Sequence, residues 1–136
     1  MALTNNKKML IYGFDKDEMA LIDNLISKNS LPNYVVIQNS MMSMKVKDIL
    51  KGIKIEIFSD KPIDERVILF NNLSDEELNI SIKEISSVFN PRPVLAVITP
   101  TSIEWDVAYL IEHLVEEREW FKNRQKQETQ LDDTRG

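Results

Sequence analysis

The chain has 136 residues, 43% hydrophobic and 29% charged, the size and balance of one globular domain whose core needs neither disulfides nor metal. Seventeen basic and 22 acidic residues give a net charge of -5, and the acid excess falls from Arg66 onward, where eight basic residues meet 13 acidic ones. Lys and Arg stand singly rather than in clusters, which disfavours a nucleic-acid partner, and with no cysteine disulfides, thiolate catalysis and Cys-ligated zinc are excluded.

The N-terminal stretch lacks the ordered regions of a signal peptide, and the apolar runs are far shorter than the ~20 residues that span a bilayer. The expectation is a cytoplasmic protein with no membrane partner.

In chain order, Met9-Leu10-Ile11-Tyr12 reads as a buried strand with Gly13-Phe14 as the turn leaving it. Asp15 and Glu18 have the spacing of a capping box, and Met19, Ile22, Leu25 and Ile26 continue at helical period. After Pro32, Tyr34-Val35-Val36-Ile37 is a second strand, and a short helix from about Ser43 to Leu50 ends at Gly52. Ile53 to Phe58 alternates and predicts an extra half-exposed strand.

The order then repeats. Val67-Ile68-Leu69-Phe70 is a strand, Asn71-Asn72-Leu73 a turn, and Ser74 with Glu77 a second capping box. Leu78, Ile82, Ile85 and Phe89 carry the helix, and Pro91 and Pro93 precede the strand Val94-Leu95-Ala96-Val97-Ile98. Thr101-x-x-Glu104 predicts a third box opening a last helix from about Ser102 to Lys126. Ile11-Tyr12 matches Leu69-Phe70, Pro32 matches Pro91 and Val46 matches Val107, an offset of 58 residues drifting to 61.

These elements predict an α/β fold: a largely parallel sheet of four or five strands built from two tandem β-α-β-α units, with a long C-terminal helix. A ferredoxin-like α+β arrangement is the alternative. Residues 1–126 form one compact domain, with pseudo-repeats at about 8–52 and 66–122, and 127–136 a flexible tail.

The run Thr99-Pro100-Thr101-Ser102-Ile103-Glu104-Trp105, followed by Leu110-Ile111-Glu112-His113-Leu114, resembles a bacterial family, the uncharacterised domain of unknown function 3783. The likeness holds from Val67 to about Lys122 and includes Leu73-Ser74-Asp75-Glu76-Glu77-Leu78. In the first half Phe14 to Met19 fits, but Ser40 to Met44 has neither the Thr-Pro-Thr turn nor the Trp. The resemblance implies the fold and its limits, places any Thr-Pro site in the second half, and implies no reaction.

Two places could carry function. Thr99, Thr101 and Ser102 mark a strand end running into a helix N-terminus, where free N–H groups and the helix dipole can hold a small anionic ligand. Asn71, Asn72 and Trp105 would complete that site, and Gly13-Phe14 would open onto the same edge if all strands are parallel. Ordinary capping by Thr101, with Glu104 taking the free N–H groups, accounts for the same pattern without a ligand.

The last helix is the second place. It spans ~37 Å at 1.5 Å per residue, against ~17 Å for a five-residue strand, and so projects past its sheet. Trp120 and Phe121 lie in the projection among charged residues. Either the helix bends back and buries them, or they anchor a homodimer or another protein partner.

His113 is the only histidine, and there is no nucleophile elbow or Gly-rich cofactor loop. No metal or cofactor is expected, and the balance leans away from an enzyme, although sites built only from Asp, Glu, Thr and Asn have no sequence signature. The two functional readings are a non-enzymatic module that self-associates through the last helix, and a sensor of an anionic metabolite at Thr99–Ser102.

Overall fold

The computed structural model describes residues 7–53 and 63–135, with side chains described as far as Arg124. Its elements run β1 Lys8–Tyr12, α1 Lys16–Asn29, β2 Tyr34–Val36, α2 Val46–Leu50, β3 Val67–Asn71, α3 Asp75–Val88, β4 Val94–Val97 and α4 Val107–Arg135. Short 3-10 turns at Asn39–Met41 and Ser102–Glu104 precede α2 and α4. Of the predicted strand Ile53 to Phe58, only Ile53 falls within the described residues.

The four strands form one mixed sheet in the order β2-β1-β3-β4. β1 pairs with β2 and β3 with β4 in parallel, but β1 and β3 are antiparallel, with Leu10 opposite Leu69 and Tyr12 opposite Val67. The sheet is thus α/β but not purely parallel. A parallel neighbour requires a crossover long enough to return the chain to its starting edge. α2, the one described helix between β2 and β3, has five residues and covers only ~7 Å.

Strand alternation assigns each face its own core. Met9, Ile11, Ile68 and Phe70 pack with Ile22 and Leu25 of α1 and Ile85 and Phe89 at α3. Leu10, Tyr12, Val67 and Leu69 pack on the opposite face with α2 and with Val107, Leu110 and Ile111 of α4. Both central strands are buried almost throughout, which is why they read as continuous apolar runs.

The first two capping boxes form as expected. Asp15 accepts from the Glu18 N–H at 2.8 Å while Glu18 accepts from the Asp15 N–H at 3.0 Å, and Ser74 and Glu77 do the same at 3.1 and 2.9 Å. The halves also correspond in register. β1 and β3, and α1 and α3, stand at a constant offset of 59 residues (Lys8 to Val67, Lys16 to Asp75), so Ile11 answers to Phe70 rather than to Leu69. Beyond the second strands the offset is 61: Ile37 donates to Ile11 C=O and Ile98 to Phe70 C=O, each at 2.8 Å.

Gly13 leaves β1 at φ +87, and a Cβ there would collide with the Glu65 carbonyl; Gly52 has φ +83 with open space around it. Gly13→Ala should therefore destabilise the fold by about 2 kcal/mol or more, and Gly52→Ala by about 1 kcal/mol, the conformational term alone. Urea denaturation of the two variants checks the difference; equal losses would show that the Gly13–Glu65 approach does not matter.

Candidate functional site

The end of β4 and the start of α4 differ from the expected continuous helix. Ser102–Glu104 is a 3-10 turn, Trp105 is extended, and α4 begins at Val107. The predicted box of Thr101 and Glu104 does not form: Thr101 makes no side-chain cap bond, and Glu104 pairs with Lys47 of α2 at 2.8 Å. Thr99 takes the capping role, its hydroxyl accepting from the Ser102 N–H at 2.9 Å while the Ser102 hydroxyl accepts from the Thr99 N–H at 2.9 Å. The two hydroxyls also bond to each other at 3.1 Å.

The first N–H groups of α4 are occupied as well. Val107 donates to the Met44 carbonyl and Ala108 to the Met42 carbonyl, each at 3.0 Å, and Val46 returns a bond to the Trp105 carbonyl at 3.0 Å. Lys45 and Asp106 form an antiparallel bridge between these bonds. The two loops thus cap each other's helices with main chain. Even the internal loop bond repeats: the Gln38 N–H meets the Met41 Sδ at 3.4 Å where the Thr99 N–H meets the Ser102 Oγ.

The other predicted ligand residues divide. Asn71, buried, and Asn72, exposed in a left-handed turn at φ 62, end β3 beside Thr99, because β3 and β4 are parallel. Gly13-Phe14 lies at the opposite edge, since β1 runs antiparallel to β3; the shared edge expected of parallel strands does not exist. Trp105, half-buried against the α4-side core, stands edge-on to Tyr109 at 4.9 Å and to His113 at 5.4 Å.

Along α4, Val107, Leu110 and Ile111 are buried and Leu114 partly so. At the sheet edge Arg118 grips Glu65 with two bonds, at 2.8 and 2.9 Å. This fork holds the Glu65 carboxyl below the usual carboxylate range, so the pair stabilises the fold above the unfolded pKa and is lost as pH falls through the lowered one. From Glu119 to Arg124 every side chain is exposed. Trp120 is 54% and Phe121 58% exposed, their rings edge-to-face at 5.0 Å, with the Arg124 guanidinium 5.2 Å from the Trp120 ring centre. The helix does not bend back over them.

Two hollows accompany these features. A groove of about 970 Å³ at the edge where α4 leaves the sheet is lined by Gly13, Glu65, Arg66, Pro93, Arg118 and Phe121. A smaller one of about 330 Å³ lies at the ends of β1 and β2, between Tyr12, Phe14, Gln38 and Asn39. Its polar member is occupied: the Tyr12 hydroxyl donates to Asn39 Oδ1 at 2.6 Å. Sequence spacing could not have found the Arg118–Glu65 fork or the Met42 and Met44 carbonyls, because neither contact is local.

Residues 66–121 match the family model "Domain of unknown function (DUF3783)". The second half carries that domain. The DUF3783 segment begins one residue before β3 and ends at Phe121, so it includes the Thr99–Ser102 turn, Trp105, the Arg118 anchor and both exposed aromatics. No curated protein and no solved structure matches the chain.

Ser102→Ala removes the hydroxyl bonded to Thr99 and should cost about 1–2 kcal/mol, whereas Thr101→Ala should stay within about 0.5 kcal/mol of the parent. Thermal unfolding of the two variants measures this. A larger loss at Thr101 would mean that it, not Thr99, caps the turn.

Proposed function

We propose that the protein is a non-enzymatic interaction module that self-associates through the projecting part of α4, with Trp120 and Phe121 as anchors. One observation carries the reading: two adjacent large aromatics, each more than half exposed, stand on a helix segment whose described side chains touch no other element's core. Exposed Trp is a frequent hot-spot residue at interfaces. The helical run from Glu119 to Arg135 reaches roughly 25 Å past the Arg118 anchor. Isolated helices of about this length are marginal in water, so a partner helix would stabilise it.

The reading includes a tandem origin for the two halves, supported by the 59-residue offset of β1-α1 and β3-α3 and by the reciprocal loop caps. In it the first unit ends in the short α2, while the second extends its last helix outward as the association element. A bacterial, cytoplasmic setting belongs to the same reading. Among the described residues no helix is long and apolar enough to cross a membrane.

Binding of an anionic metabolite at Thr99–Ser102, with Asn71, Asn72 and Trp105, is the weaker alternative. A ligand there competes with the Thr99–Ser102 bonds and finds the Val107 and Ala108 N–H groups already given to Met44 and Met42.

Sedimentation equilibrium across a wide concentration range tests the proposal. The parent should show a concentration-dependent dimer, and Trp120→Ala should weaken it at least tenfold, the scale of a hot-spot truncation, with the monomer's melting temperature unchanged. A parent that stays monomeric at every concentration would overturn the reading.

A further inference from the structure

We infer that the partner of α4 is the α4 of a second copy in antiparallel orientation, with the twofold axis passing at Trp120. This rests on the self-association proposed above and specifies its geometry. The inference comes from the order of residues on one helical face. Tyr109 lies eleven residues before Trp120 and Leu131 eleven after it; Glu116 lies four before and Arg124 four after. At 3.6 residues per turn these positions fall on one row of the helix. On that row Tyr109 is 54% exposed, like Trp120, and Glu116 and Arg124 are exposed.

The charges around Trp120 are polarised. Glu112, Glu116, Glu117 and Glu119 precede it, and Lys122, Arg124 and Lys126 follow it. An antiparallel pair about Trp120 sets the acidic turns of one copy against the basic turns of the other, Glu116 facing Arg124 on both sides of the axis. The position of Leu131 in each copy then falls opposite Tyr109 of the other. A parallel pair in register would instead oppose Glu116 to Glu116 and Arg124 to Arg124, and like charges across a helix pair are destabilising. A twofold interface must be self-complementary, and this row is complementary only when reversed.

The orientation also fits the projection of α4. Because the helix passes the sheet edge at Arg118 and Glu65, an antiparallel partner can lie along the exposed Tyr109 side of α4 while the two sheets stay at opposite ends of the pair. Residues 119–135 of each copy then gain a helical neighbour for their whole length.

The chain has no cysteine, so single spin labels can be placed in the full-length protein at Glu112→Cys and, separately, at Asn123→Cys. Pulsed dipolar measurements on each labelled dimer read the orientation. In the antiparallel pair the label at 112 is roughly 25 Å from its mate along the axis and the label at 123 roughly 10 Å. In a parallel pair the two distances are about equal. A 112 distance longer than the 123 distance by roughly 15 Å supports the inference. Equal distances in a formed dimer overturn the orientation while leaving self-association intact. No dipolar signal at either site, at concentrations where the dimer should be populated, overturns self-association as well.

A charge test gives a second readout. Glu116→Arg and Arg124→Glu should each weaken the homodimer severalfold, and an equimolar mixture of the two should associate more tightly than either alone. In a parallel dimer Glu116→Arg exchanges one like-charge pair for another and should leave the affinity unchanged, which would contradict the inference.

Discussion

The main-chain bonds between the two strand-to-helix loops decide where α4 begins and therefore how much of it the sheet can cover. Val107 and Ala108 give their N–H groups to Met44 and Met42, and Val46 gives its own to Trp105. Helix N-termini leave such donors without intrahelical partners, and a buried donor left unmade costs more than a formed bond contributes. With the start of α4 held beside the start of α2, the helix meets the sheet edge at Arg118, and everything after it stands clear.

That arrangement follows from the antiparallel β1–β3 pair at the centre of the sheet. Each half contributes a parallel strand pair with a helix on either face, and the reversed central pairing sends the loops after β2 and β4 toward each other over one face. The same reversal separates the turn after β1 from the turn after β3, so strand ends that a parallel sheet would collect at one edge lie at opposite edges. A ligand crevice at a shared carboxyl edge, the usual location in open parallel sheets, has no counterpart here. The groove that does form sits where α4 departs, with Phe121 in its wall.

What could be read from the sequence was local. The buried strands, the boxes at Asp15–Glu18 and Ser74–Glu77, and the left-handed Gly52 depend on residues a few positions apart, and they appear where the spacing puts them. The match of residues 66–121 to a DUF3783 model agrees with the resemblance drawn from the Thr-Pro-Thr turn and its helix. Thr101-x-x-Glu104 had the same spacing as the two real boxes and did not form one, because Thr99 captured the turn and Lys47, from the other half, captured Glu104. Strand direction, the Arg118–Glu65 fork and the reciprocal loop caps join residues more than fifty positions apart and leave no periodic trace. The exposure of Trp120 and Phe121 stood between these cases: helix length showed that α4 must project, but only its path over the sheet decided whether the rings were covered.

The central claim is that the projecting half of α4 depends on a second molecule for its stability while the half on the sheet does not. Amide hydrogen exchange along α4, recorded at low and at high protein concentration, measures this directly. The account predicts that residues 107–116 exchange slowly at both concentrations and that residues 119–135 become protected only at the higher one. Protection of residues 119–135 that is the same at both concentrations would contradict it.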